Sequence, residues 1–367
     1  MTGPKAQKLA YRPELDGVRA FAVLAVMAFH LARVAPLSNW PTQGGFLGVD
    51  IFFVLSGMLI TELLLADGGK PPGQVLRRFY IRRARRLIPA VAVMLAAALA
   101  YYGIEFQEAG QTVSGLGSLA MFVTVGHRGG DPYPWGVTHV WTLIVEWEFY
   151  LIWPIALLFL LKRQRQAAIG LISISCAFVL ADLGALAYNV TGDSTYPYFI
   201  GWFRFDELLV GCAVALAVST TTFSPPLWLR TIAVAALLTT IIRCSADGTY
   251  LNDGGTFVVA LATAAVVWPS REPWWATRLL ATRPMVWIGK LSYSLYLWSV
   301  PVTLDVARQA SRQPEWLRIV LAATVSFAIA AASYYLVERA FRLPSQRATG
   351  SREDPILTGT SVRLKKA

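Results

Sequence analysis

Stretches of about 20 apolar residues recur from one end of this sequence to the other, and each can cross a hydrocarbon core of about 30 Å as a helix. They fall at roughly 18–35, 45–65, 87–104, 139–161, 167–190, 205–222, 226–243, 255–269, 286–304 and 316–341. One further apolar stretch, 113–125, is short and interrupted by Gly115, Gly117 and Gly126. It reads as a re-entrant or interfacial segment, which membranes tolerate where protein buries it. The expectation is an all-α polytopic membrane protein of about ten transmembrane helices plus that segment. Only 15% of the 367 residues are charged, against about a quarter in soluble domains. One membrane domain, 1–344, therefore leaves no room for a second large soluble one.

The net charge of +11 would suggest nucleic acid in a soluble protein. Here cationic loops flanking membrane helices account for it. Ten spans with a cytoplasmic N-terminus put 26 of the 33 Lys and Arg inside and seven outside. Counting 113–125 as a full span would move Lys162, Arg163 and Arg165 outside, against the positive-inside bias. Both termini are thus expected in the cytoplasm, with 345–367 a basic, disordered tail at an anionic surface. Cys176, Cys212 and Cys244 show neither metal-ligand spacing nor a disulfide framework, and no metal is expected.

Ionisable residues inside spans are costly and mark pathways or sites. Counting along the helices, His30 lies about 18 Å from the cytoplasmic start of span one. Glu146 lies about 10 Å, and Asp50 about 8 Å, from the outer starts of spans four and two. His139 begins span four. A shared site would explain a His, a Glu and an Asp at a similar level. An imidazole in a low-dielectric pocket stays neutral and ready to accept a proton. A neighbouring carboxylate can fix its tautomer and stabilise the imidazolium that forms. Such a pair could deprotonate a hydroxyl as it attacks a thioester. The competing reading is that His30 only locks helix packing. G-x-S-x-G is absent, and Ser56 in Leu55-Ser56-Gly57 reads as a small residue for close packing, so direct transfer is favoured over a covalent acyl-enzyme.

A second constellation precedes span three: Arg77-Arg78-Phe79-Tyr80-Ile81-Arg82-Arg83-Ala84-Arg85-Arg86-Leu87-Ile88-Pro89. Helical spacing puts Arg78, Arg82 and Arg85 or Arg86 on one face, which suits a polyphosphate. An anionic-lipid and topology anchor accounts for the same run, and it is the role given to Arg77 and Arg83. The glycines of Gly44 to Phe53 permit close backbone approach. Aromatic residues from Gly289 to Trp298 read first as packing and only second as substrate lining. Glu338 with Arg339 reads as an interface ion pair.

Together these segments resemble the acyltransferase-3 family of membrane O-acyltransferases, in order from about Tyr11 to Arg342. Leu15-Asp16-Gly17-Val18-Arg19-Ala20-Phe21 is followed by His30, and Arg19 and His30 enclose ten residues. Gly48-Val49-Asp50-Ile51-Phe52-Phe53-Val54-Leu55-Ser56-Gly57, Arg82 to Pro89, and His139-Val140-Trp141-Thr142-Leu143 with Glu146 and Phe149-Tyr150-Leu151 match successive motifs. Leu291-Ser292-Tyr293-Ser294-Leu295-Tyr296-Leu297-Trp298 matches the last.

The resemblance implies transfer of an acyl group, acetyl or another short one, from acyl-CoA to a hydroxyl of a sugar, glycolipid or macrolide-type small molecule. The enzyme would sit in a bacterial-type plasma membrane, alone or as a homodimer. His30 would be the base, with Arg19, Glu146 and Asp50 beside it. Arg78, Arg82, Arg85 and Arg86 would hold the acyl-CoA phosphates, with the pantetheine arm reaching between helices to His30. His139, Trp141, Tyr150, Ser292 and Tyr293 would line the substrate. Many members carry His where this sequence has Ser299. The esterase-like domain fused to some members is not in this sequence, which tilts the expectation toward a small diffusible acceptor. A proton-coupled transporter using His30, Asp50 and Glu146 as a relay is the alternative.

Overall fold

A computed structural model describes residues 11–34, 43–105, 138–191, 202–244, 255–270 and 273–342, and every regular element among them is helical. The expected re-entrant segment and basic tail lie outside the described residues. Each expected span falls on a helix: α1 (Pro13–Val34), α2 (Gly48–Ala66), α3 (Pro72–Glu105), α4 (Trp141–Leu160) and α5 (Gln166–Thr191), then α6 (Phe205–Thr220), α7 (Leu227–Arg243) and α8 (Gly255–Val267). A short α9 (Trp275–Leu280) leads into α10 (Arg283–Gln309) and α11 (Glu315–Ser333). The chain then continues through a π-helical turn, Tyr334–Glu338, into a last turn, Arg339–Phe341. Among the described residues, five helical stretches are long and apolar enough to cross a membrane: Pro13–Ala32, Gln43–Ala66, Trp141–Leu160, Gln166–Val190 and Glu315–Phe341.

The apolar runs fix where lipid begins, and the helices do not stop there. α3 starts fifteen residues before its expected span, because its arginine-rich turns stay helical. Prolines inside α3, α4 and α10 (Pro89, Pro154 and Pro301) are tolerated as they are in membrane helices generally.

α1 packs along α10 and against α2; α2 packs on α6, α6 on α5, and α10 on α11. Small residues set these distances. A Cβ on Gly289 would strike the backbone of Asp16, one on Gly57 the backbone of Leu208, and one on Gly211 that of Val54. Gly44 and Gly45, in the 3-10 turn Gln43–Leu47 before α2, sit equally close to α7 and α1. α2 is central, with 61% of its apolar window buried, whereas α5, at 17%, forms an outer edge.

Two apolar cores result. One joins the inner faces of α1, α2, α3, α4, α6, α10 and α11, through Val23, Met27, Phe53, Leu87, Ile144, Leu208 and Leu295. The other lies among α1, α2, α6, α7, α8 and α9. All three cysteines are free.

Candidate active site

The polar residues singled out in the sequence gather mainly in the first core. Arg19 and His30 are eleven residues apart on α1. At 100° per residue they share one helix face, about 16 Å apart along the axis. Both are half-buried.

At the His30 end, Nδ1 lies 2.8 Å from the carbonyl oxygen of Val26. A carbonyl only accepts, so Nδ1 carries the hydrogen and the neutral ring keeps its lone pair on Nε2. His139 is buried in the 3-10 turn Thr138–Val140 that leads into α4. Its Nε2 lies 3.1 Å from the carbonyl of Leu297, so its lone pair sits on Nδ1. That Nδ1 is buried and has no hydrogen-bond partner among the described residues. The two imidazoles lie within electrostatic range of each other. Tyr296 Oη donates to the carbonyl of His139 (2.7 Å) and meets Thr142 Oγ1 at 2.6 Å.

Between the two ends, Glu146 accepts a hydrogen bond from Ser56 Oγ. It lies in electrostatic reach of Tyr150, Tyr293 and Tyr296. Tyr293 Oη donates to the carbonyl of Leu87 at 2.9 Å, tying α10 to α3. Tyr150 is buried, and the guanidinium of Arg83 lies 4.7 Å from its ring centroid, with Nη1 3.4 Å from its hydroxyl.

The other end is cationic. Arg86 points inward, with Arg19, Arg83, Arg342 and Glu338 in electrostatic reach. Among the described residues neither Arg19 nor Arg86 makes a hydrogen bond or ion pair. Two adjacent half-buried guanidiniums without an acceptor are costly, and an anion between them relieves both the repulsion and the unmade bonds. Arg82 is half-buried with its Nε unpartnered, and Arg85 is exposed. Burial and then repulsion from Arg78 hold the Arg82 pKa below its ordinary value. Arg78 itself is exposed and pairs with Asp67 at 3.4 Å.

Asp50 has its own set of partners, at the start of α6. It is fully buried and ion-paired with Arg204, which also holds Glu207 at 3.0 Å, with Asp206 alongside. Asp50 shares the face of α2 that carries Gly57 and meets α6, whereas Ser56 is rotated about 100° from Gly57 toward α4. Trp141 and Ser292 are buried core residues. Ser299 is buried, its Oγ without a partner among the described residues.

Three residues given other roles in the sequence belong to this seam. Ser56 hydrogen-bonds Glu146, and Gly57 is the close-packing residue beside it. Arg83 packs on Tyr150. Glu338 is buried and pairs with Arg342, while Arg339 lies over Tyr335. The signal for Glu338 was its place at the end of the last apolar run, one residue before Arg339 and four before Arg342. No three His, Cys, Asp or Glu residues converge as a metal site among the described residues.

Residues 12–335 match a family model described as an acyltransferase domain. The Bacillus subtilis protein YrhL is 33% identical over 95% of this chain and 57% of its own length. A peptidoglycan O-acetyltransferase of Listeria monocytogenes is 33% identical over 90% of the chain and 56% of its length. An O-acetyltransferase of Staphylococcus aureus is 30% identical over 81% and 51%. The chain thus spans little more than half the length of these relatives. No solved structure matches it.

Proposed function

Because the chain belongs to the membrane acyltransferase-3 family, we propose that it transfers a short acyl group, acetyl, from acyl-CoA to a sugar hydroxyl of a cell-envelope glycan. The relatives' names favour a glycan acceptor over a macrolide, and family membership favours acyl transfer over transport. The reading places the enzyme in a bacterial plasma membrane with both termini cytoplasmic.

The observation that carries the donor assignment is the polar seam with unpaired arginines at one end and two imidazoles at the other. The arm of a CoA thioester runs about thirteen bonds from diphosphate to sulfur. At the reach of an extended chain, about 1.2 Å per bond, that is about 15 Å. Arg19 and His30 are about 16 Å apart along α1, so phosphates held by Arg19 and Arg86 bring the thioester to the level of His30.

His30 takes the hydroxyl proton on Nε2 as the oxygen attacks the thioester carbonyl. The C–O bond forms, the C–S bond breaks, and the imidazolium returns the proton to the leaving thiolate. Glu146, oriented by Ser56, offsets the charge that forms on the ring. The test is protein in nanodiscs, given acetyl-CoA and muropeptide or other saccharide acceptors, with thiol release and acceptor mass followed together. Stoichiometric thiol and an acceptor heavier by one acetyl group are expected from wild type and not from His30→Gln. Equal turnover by both proteins would overturn His30 as the base.

A further inference from the structure

Four guanidiniums, Arg86 with Arg19, Arg83 and Arg342 in its electrostatic reach, gather at the cationic end of the seam, and a single carboxylate, Glu338, is in reach of the same Arg86. Three come from α1 and α3; Arg342 comes from the last turn of the described chain. Glu338 closes the π-helical turn Tyr334–Glu338, a geometry that is uncommon and concentrated at functional sites. It is buried, accepts from Ser294 Oγ, and has Arg342 Nη2 3.5 Å from Oε2. The Arg342 guanidinium also lies 5.0 Å from the Tyr334 ring centroid, so a ring and a carboxylate together fix it. Its Nε, like that of Arg86, is buried without a partner among the described residues.

We infer that Arg342 is a donor-binding residue and Glu338 a positioning residue, which together add the C-terminal turn as a third wall of the phosphate site. This rests on the proposed acyl-CoA donor. The π turn ends on Glu338, which meets Ser294 and, four residues on in the same helical run, Arg342. Counting Glu338 against the four arginines leaves three positive charges in one half-buried place. That excess matches a diphosphate with a further phosphomonoester better than a singly charged lipid headgroup.

Two effects of Glu338→Gln have opposite signs, which makes the inference testable. Removing a negative charge alone tightens anion binding; releasing Arg342 from its anchor weakens it. The experiment is calorimetric binding of CoA to the full chain in phosphatidylcholine nanodiscs. Arg342→Ala and Glu338→Gln should each weaken CoA about tenfold, about 1.4 kcal/mol. The double variant should be no weaker than Arg342→Ala, and the donor KM should rise while kcat stays. Arg278→Ala, an exposed arginine on α9, should bind as wild type does. Glu338→Asp, with the charge one methylene short, replaces Glu338→Gln if the latter does not fold. Unchanged or tighter binding by the Glu338 variant would overturn the inference while leaving the donor assignment intact. Wild type that fails to bind CoA overturns both. Displacement of CoA by phosphatidylglycerol nanodiscs, lost in Arg342→Ala, would assign the site to lipid headgroups and also overturn it.

Discussion

Adding one methyl group at Gly289 asks whether the distance between α1 and α10 sets the rate. A Cβ there would lie 2.5 Å from the carbonyl carbon of Asp16 and 2.9 Å from its Cα, with the carbonyl oxygen nearer still. Ordinary contact begins at 3.4 Å, so the two backbones must part by 0.9 Å or more. Overpacking of this kind destabilises by about 1–3 kcal/mol. The displacement falls where it matters: Arg19 is one turn beyond Asp16, and Tyr293 one turn beyond Gly289. A misplacement of about 1 Å at a reacting constellation costs about 100-fold in rate. Gly289→Ala should therefore remain folded, with a lowered midpoint of thermal unfolding, and lose about 100-fold in kcat/KM for acetyl-CoA-dependent thiol release. Gly73→Ala is the control, since a Cβ at Gly73 meets nothing within 4 Å. Folded Gly289→Ala with activity within about twofold of wild type would refute the coupling between helix separation and site, because the same structure makes that separation unavoidable.

Replacing His30 by Gln should lower kcat by about 100- to 10,000-fold, the usual worth of a general base, while calorimetry shows CoA binding unchanged; a loss confined to CoA affinity would refute the base assignment. Removing the hydroxyl of Ser56 leaves Glu146 without its donor, so Ser56→Ala should reduce kcat by about tenfold, equivalent to about 1.4 kcal/mol; steady-state turnover equal to wild type would count against Glu146 as the oriented carboxylate. Arg204→Ala strips the cation from Asp50, Glu207 and Asp206 in a fully buried place, which should destabilise the fold by about 3–5 kcal/mol. Thermal unfolding in detergent checks it, and an unchanged midpoint would show that those carboxyls do not depend on Arg204.

Hydropathy located the helices because a bilayer demands about 20 apolar residues per crossing, and it placed helix ends only where lipid and helix end together. α3 shows the difference: its apolar half matches the expected span, while its arginine-bearing half is helical and outside it. Counting residues likewise gave the depth of each polar group and nothing about its rotation around the helix axis. Arg19 and His30 were legible as a pair because both lie on one helix, where spacing fixes depth and rotation together. Asp50 and Glu146 lie on different helices, and equal depth said nothing of their partners, Arg204 for Asp50 and Ser56 for Glu146. Ser56 and Gly57 are adjacent in sequence yet face α4 and α6 respectively, and only the packed partners reveal which is which. Glu338 has Arg339 next to it in sequence, but a helix turns successive side chains apart, and the carboxylate meets Arg342 four residues on.

The placement of Asp50 also explains how Ser56 comes to point into the seam. Rotation of α2 about its own axis is fixed on one side by glycine: Gly57 and Gly211 each admit the other helix's backbone only in one orientation. It is fixed on the same side by charge, since Asp50, seven residues and nearly two full turns from Gly57, meets Arg204 at the start of α6. Turning α2 by one residue would bury an unpaired carboxylate and drive two backbones together, both of which cost several kcal/mol. With that face locked to α6, residue 56 has one direction left, toward α4 and Glu146. The buried ion cluster therefore acts on the chemistry by aiming the helix that carries Ser56.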